Sequence, residues 1–280
     1  MLGSPPGQEN GKSGDGPVTN PTLSGKTALV TGASSGLGVD FARELAGMGC
    51  NLVLVARRED LLKQVQTELL QRGVKVSIVT LDLGAAEAPQ ALHDLLKLQG
   101  LAVDVLINNA GFGLFGRDLD LPWTKTRQML QLNMLALTEL TRLFARDMVK
   151  RGSGYIMQIA STGAYQPTPT YAAYAATKAY VLSYGEALNY ELRGSGVSCT
   201  VISPGVTATE FLQVSGQKPT WFHRLTLMGS AEVARAGLRK MLARRSSAVI
   251  GWMNWLAAFS IRFTPRPLAT ALGYELMKND

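Results

Sequence analysis

Histidine and cysteine are scarce in this chain, two of each in 280 residues, and the scarcity closes off whole kinds of chemistry. His93 and His223 lie far apart in sequence and read as structural side chains, so neither a metal site nor a catalytic histidine is expected. Cys50 and Cys199 each edge an apolar strand-like run, where small buried thiols are common, and nothing calls for a disulfide framework or an oxidising compartment. No apolar run approaches the ~18 residues that a bilayer span requires. Residues 1–24 are rich in Gly, Pro, Ser and Asn, hold little that packs, and show no basic region followed by an apolar stretch. They are expected to be a disordered leader. The expected setting is cytoplasmic, with peripheral membrane contact not favoured and no nucleic-acid partner.

Acidic residues are scarce at one end. From Lys218 onward ten Lys/Arg face three Asp/Glu, which accounts for the whole net charge of +7, while the preceding 217 residues balance at 18 against 18. Such a segment suits an anionic membrane surface, an acidic partner or a phosphate-bearing substrate, or is simply an arginine-rich solvated face.

What the chain does have is alternation. Strand-like runs fall at Thr27 to Val30, Asn51 to Ala56, Val74 to Thr80, Val103 to Asn108, Tyr155 to Ala160, Ser198 to Ser203 and Ala248 to Ile250, with helical patterns between them. That order predicts an α/β fold: one doubly wound domain over 25–280, with seven mainly parallel strands and helices on both faces. Ligands then bind beyond the carboxyl ends of the strands.

The first such end carries Thr31-Gly-Ala-Ser-Ser-Gly-Leu-Gly38. Gly32, Gly36 and Gly38 remove side chains where a backbone turns sharply toward a pyrophosphate, and the amides of the helix that follows supply positive dipole. The spacing is G-x-x-x-G-x-G. After the second strand no acid is available for an adenosine ribose; Arg57 and Arg58 stand there instead, with guanidinium donors suited to a 2′-phosphate. This favours NADP(H) over NAD(H), Arg57 being the better candidate and Ser34 a helper.

Farther on, Tyr174-Ala-Ala-Thr-Lys178 places a phenol and an ammonium one helical turn apart, with the Ser161 hydroxyl thirteen residues upstream at a strand end. A nearby positive charge lowers a tyrosine pKa, so Tyr174 is expected to act as general acid or base nearer neutrality.

Together with Asn108-Asn-Ala-Gly111 and Asn133, these motifs resemble, in order and spacing, those of the short-chain dehydrogenase/reductase family, from about Gly25 to about Phe211. The resemblance implies a catalytic Asn133, Ser161, Tyr174 and Lys178. Ser161 and Tyr174 would stabilise the developing oxyanion of a carbonyl reduced from the 4-pro-S side of the nicotinamide, and Tyr174 would give the proton. Lys178 would hold the nicotinamide ribose, and Asn133, at a local helix irregularity, would hold a water. It also implies a cofactor site built from Gly32, Ser34, Gly36, Leu37, Gly38, Arg57, Arg58, Asp82 (toward the adenine amine), Asn109, Gly111, Tyr174, Lys178, Pro204, Gly205, Thr207 and Thr209. The family often has a basic residue just before the second motif glycine, where this chain has Ser35. Homodimeric or homotetrameric assembly is expected, with a small-molecule carbonyl or alcohol substrate of lipid-like, steroid-like or acyl-like character.

Specificity is expected in the loop at about 206–230, where Trp221, Phe222 and Leu225 suggest an apolar pocket; Tyr171 either lines it or packs. In Ala248 to Ile261, Trp252, Trp255 and Phe259 recur at helical spacing between Arg245 and Arg262. Three readings stand open for that stretch: a helix buried at a subunit interface, a pocket wall, or an interfacial helix with arginines near lipid headgroups. For the whole chain the alternative to an enzyme is a catalytically silent NADP(H)-binding module that controls a partner.

Overall fold

A computed structural model describes residues 23–207, 211, 215–218, 220 and 227–278. Seven strands form one sheet in the order β3-β2-β1-β4-β5-β6-β7, and every neighbouring pair is parallel. They are β1 Thr27–Thr31, β2 Asn51–Ala56, β3 Val76–Thr80, β4 Val105–Asn108, β5 Gly154–Ile159, β6 Val197–Ser203 and β7 Ser247–Val249. Each expected strand is present, displaced by no more than two residues at an end.

The two-residue period of a strand explains why these runs are apolar throughout. Ala28, Val30, Leu52 and Leu54 point into one core layer, with Phe41 and Leu45 of α1 (Gly36–Gly47) and Leu238 of α7 (Ser230–Leu242). The residues between them, Leu29, Val53 and Val55, point into the opposite layer, with Leu92 and Leu96 of α3 (Ala88–Leu98) and Phe144 and Met148 of α5 (Leu137–Arg151). α2 (Glu59–Leu70) follows β2 and contributes Leu62, Val65 and Leu69 to the first layer.

From α4 (Trp123–Leu130) to α5 the helix runs on unbroken through a π-helical turn, Gln131–Ala136. α6 (Ala172–Glu191) carries the Tyr174/Lys178 pair. After β7 come α8 (Trp252–Ser260) and α9 (Arg266–Met277). The strand expected at Ala248 to Ile250 is the edge strand β7, and the helical spacing of Trp252, Trp255 and Phe259 belongs to α8, which starts after Gly251.

Both cysteines are buried and free, as expected, and burial pushes each thiol up to about 12. His93 is structural: its Nε2 lies 2.7 Å from Asp147 Oδ2 and its ring meets the Phe144 ring edge-on. His223, Thr209, Trp221, Phe222, Leu225 and the first 22 residues lie outside the described residues. No helix among the described residues is long and apolar enough to cross a membrane.

Candidate active site

The carboxyl ends of β1, β4, β5 and β6 open onto one cavity of about 410 Å³. Its first wall is backbone. Gly32 has φ +66, and a Cβ there would sit 2.9 Å from Asn109 Nδ2 and 3.0 Å from Ala110 Cα. A Cβ on Gly38 would overlap the Gly32 carbonyl oxygen, so the turn and the start of α1 close on each other only without side chains.

Thr31 and Asn109 lock this turn to β4. The Thr31 hydroxyl donates to the Ile107 carbonyl (3.2 Å) and accepts from the amides of Asn109 and Ala110 (3.0 Å each). Asn109 Nδ2 donates back to the Thr31 and Gly32 carbonyls, at 2.9 and 3.3 Å. Ser34, Ser35, Gly36 and Leu37 bring the N-terminus of α1 to the cavity, and Ser35 makes no side-chain cap there. First-turn amides thus remain to serve an anion.

At the end of β2, Arg57 and Arg58 both line the cavity. Arg58, rather than the favoured Arg57, reaches the glycine turn: its Nη2 lies 3.4 Å from Ser34 Oγ. Arg57 leans instead toward Asp82, Nη1 to Oδ2 4.0 Å, and Asp82 Oδ1 accepts from the Gly84 amide at 3.0 Å. Asn108 turns away from the cavity, donating to Thr141 Oγ1 and Gln158 Oε1 inside the sheet layer.

The opposite wall holds the Ser161, Tyr174 and Lys178 side chains. Ser161 follows β5, and its Oγ accepts from the Gly163 amide at 3.1 Å, on the same cavity wall as Tyr174. Lys178 is buried, its Nζ donating to the Ile159 carbonyl at 2.7 Å and lying 5.8 Å from the Tyr174 ring centre. Burial pushes the Tyr174 phenol above its ordinary value, and the Ser161 hydrogen bond pulls it partly back. Burial also lowers the Lys178 ammonium to about 8. Lys178 does lie beside Tyr174, as its spacing implied, while burial, which disfavours both charged forms, opposes the expected lowering of the phenol.

Asn133 lies in the π-helical turn, 1% exposed, so the irregularity implied for it is present. Its Nδ2 donates to the Phe112 carbonyl (2.9 Å) and Thr177 Oγ1 (3.2 Å), and its Oδ1 accepts the Phe112 amide (3.2 Å). Gly111 separates it from Lys178: a Cβ there would stand 2.9 Å from Asn133 Oδ1 and 3.6 Å from Lys178 Nζ.

Pro204, Gly205 and Thr207 line the cavity after β6; the Pro204 carbonyl accepts the Thr162 amide, and Thr207 bridges Met228. Tyr171 both lines and packs. Its hydroxyl donates to Gln217 Oε1 and pairs with the Ser215 hydroxyl, at 2.9 Å each, and its ring is 5.5 Å from that of Tyr174. Phe211 closes over Tyr174 at 5.3 Å, and Gln217 Nε2 reaches the Met277 carbonyl at 2.8 Å. The preceding Thr170 has φ +68, uncommon for a β-branched residue, and its carbonyl is held by the Gly116 amide. Sequence reasoning gave no role to Thr31, Thr177, Gln217 or Met277. Only the threonine closing β1 carried a local signal.

A doubly wound parallel sheet with a glycine turn at its first strand end, facing a Ser-Tyr-Lys group across one cavity, defines a dinucleotide-binding oxidoreductase class. The chain belongs to the short-chain dehydrogenase family, whose sequence model matches residues 26–220. It is 36% identical over 184 residues to the ketoacyl reductase HetN of Nostoc sp., covering 66% of this chain and 64% of that protein. It is 32% identical over 203 residues to the very-long-chain 3-oxoacyl-CoA reductase of Bos taurus, covering 70% and 64%. The chain thus spans just under two thirds of the length of these curated relatives. Among solved structures, a short-chain dehydrogenase from Sphingobium yanoikuyae in complex with NADPH superimposes with a TM-score of 0.75 at 31% identity, covering 85% of this chain and 94% of that one. A Burkholderia phymatum member in complex with NAD gives 0.76 at 26% identity, with 86% and 96% covered.

Proposed function

We propose that the protein is an NADP(H)-dependent oxidoreductase that interconverts a ketone or aldehyde and an alcohol on an apolar, lipid-, steroid- or acyl-like substrate. The observation that carries this reading is the single cavity in which Ser161, Tyr174 and Lys178 face the glycine turn and the Arg57-Arg58 pair. A nicotinamide dinucleotide fits the donor set: a glycine cradle that any Cβ would fill, the open α1 N-terminus, and guanidinium groups at the far end. When bound, the dinucleotide supplies or accepts the hydride.

The chain's own residues do the rest. Ser161 and Tyr174 converge on the substrate oxygen and stabilise its growing negative charge. Tyr174 is the proton donor in reduction; in oxidation it must first lose that proton. Lys178, whose ammonium is lowered to about 8 by burial, would relay it, with Asn133 fixing the adjoining Phe112 backbone. Arg58 against Ser34, with Arg57 beside it, favours a 2′-phosphate and hence NADP(H). The NADPH of the Sphingobium structure accords with that preference, and the NAD of the Burkholderia structure is the competing outcome. Apolar walls from Phe112, Phe211 and Met277 suit a greasy substrate, as do the acyl substrates in the names of two relatives.

We assign residues 25–280 to a single domain, the loop at 206–230 to specificity, and the assembled state to a homodimer or homotetramer, which light scattering will read directly. The deciding experiment is NADPH consumption across ketosteroids, 3-oxoacyl thioesters, retinals and small diketones, with NADH beside each and Tyr174→Phe as control. Turnover that depends on Tyr174 supports the reading. NADPH binding without such turnover favours a regulatory module, and a preference for NADH refutes the role of the arginines.

A further inference from the structure

Beyond β7 the chain turns its largest side chains outward. On α8, Asn254 and Ala258 are buried, one turn apart, and dock the helix. Asn254 Nδ2 donates to the Ile250 carbonyl at 3.0 Å, and its amide lies so close to Gly205 that no Cβ fits there. The opposite face carries Trp252, Trp255, Leu256, Phe259 and, past the helix end, Phe263, at i, i+3, i+4, i+7 and i+11. Trp252 is 75% exposed and Phe263 76%. These rings form one surface: Trp255 stacks on Phe259 at 5.1 Å, and Phe259 meets Phe263 edge-on at 5.4 Å. Leu268 and Leu272 are exposed at i, i+4 on α9.

Charge decides what this face can meet. From Arg245 to Tyr274 the sequence has no Asp or Glu. Arg262, its guanidinium 5.8 Å from the Phe259 ring centre, and Arg266 are exposed, and among the described residues neither has a carboxylate partner. A two-fold contact between copies would set this acid-free stripe against itself and bring arginine toward arginine. An anionic lipid surface complements both parts: Trp and Phe enter the headgroup boundary while the arginines remain with phosphates.

We propose that the outer face of α8, continued through Phe263 to Arg266, docks the protein on an anionic bilayer as a peripheral, non-spanning contact. Because α8 seats against Gly205 and Met277 of α9 lines the cavity, docking holds the cavity beside the lipid from which an apolar substrate would come. That consequence rests on the proposed function; the lipid contact does not.

The test is co-sedimentation of the full chain with phosphatidylcholine vesicles containing phosphatidylglycerol, against phosphatidylcholine alone, with oligomeric state followed by light scattering. The expected result is binding that requires the anionic lipid and weakens by at least about tenfold in Trp252→Glu/Phe263→Glu, whose positions are exposed and leave the fold intact. In Arg262→Gln/Arg266→Gln the preference for anionic vesicles should fall while the helix content is unchanged. Absence of sedimentation with anionic vesicles overturns the proposal. So does a glutamate variant that binds vesicles like wild type, and one that dissociates an oligomer with vesicle binding unchanged would assign the face to a second copy. Each readout is independent of turnover, so failure of the lipid contact leaves the catalytic reading standing.

Discussion

On one side of the cavity the wall is backbone, with glycines packed against carbonyl oxygens and clamped by Thr31 and Asn109; on the other it is side chains from α6, the segment after β6 and the end of α9. The backbone wall has few ways to vary, because a Cβ at Gly32 or Gly38 meets main-chain or clamped atoms that cannot move aside. The side-chain wall is joined over long sequence separations, Tyr171 to Gln217 and Gln217 to Met277. The first wall suits a component common to many proteins and the second a substrate particular to this one. The proposed chemistry sits where they meet, at Ser161, Tyr174 and Lys178.

The sharpest way to break this division is at the meeting point. Tyr174→Phe keeps the ring against Phe211 and Tyr171 and removes only the hydroxyl. It should lower kcat by about 10²–10⁴-fold, the usual range for a lost general acid, while NADPH still quenches on binding. If kcat instead survives, the proton comes from elsewhere and the two-wall scheme has the wrong junction.

On the backbone wall, Gly38→Ala forces a methyl onto the Gly32 carbonyl oxygen. A cost of about 3 kcal/mol, at the upper end for overpacking, is expected in urea unfolding, with NADPH affinity lost alongside. A tolerated alanine would mean that the turn is looser than its contacts imply.

Lys178 tests the dry floor between the walls. Its folded pKa is near 8, below the 10.5 of the free side chain, so between those values the unfolded state holds more protons and stability rises with pH. The burial penalty is full below pH 8 and fades toward 10.5. Lys178→Met should therefore abolish turnover yet be more stable than wild type at pH 7 by about 1–2 kcal/mol, after the lost bond to the Ile159 carbonyl is counted. Chemical unfolding from pH 7 to 10 should show that advantage shrinking.

The same contrast accounts for what was legible in the sequence. Strands could be placed within two residues because a parallel sheet covered on both faces demands unbroken apolar runs, and the glycine turn could be placed because only glycine fits it. The helix irregularity at Asn133 was readable only through the resemblance, and it is present as the π-helical turn. The direction of the Tyr174 shift was not readable, since four-residue spacing reports that Lys178 is near but not how strongly burial raises the phenol. Nor could any local pattern reveal that Gln217 would bond the Met277 carbonyl, or that α8 would bury Asn254 and leave Trp252 and Trp255 outside. The pocket-wall reading of that stretch placed its aromatic residues toward the cavity, whereas Trp252 and Trp255 face outward.

Two smaller effects sharpen the division between walls. Arg58→Ala should raise KM for NADPH about tenfold and leave KM for NADH unchanged, since one charge-assisted contact is worth about 1.4 kcal/mol. Arg57→Ala should do less, because Arg57 spends its guanidinium partly on Asp82. Gln217→Leu removes the link from Tyr171 to the end of α9 at a cost of about 1 kcal/mol for each lost bond. It should raise KM for the carbonyl substrate several-fold without changing NADPH affinity, because no atom of the backbone wall depends on it. A Gln217→Leu enzyme that lost NADPH affinity instead would show that the two walls are coupled through Tyr171, whose ring stands 5.5 Å from Tyr174.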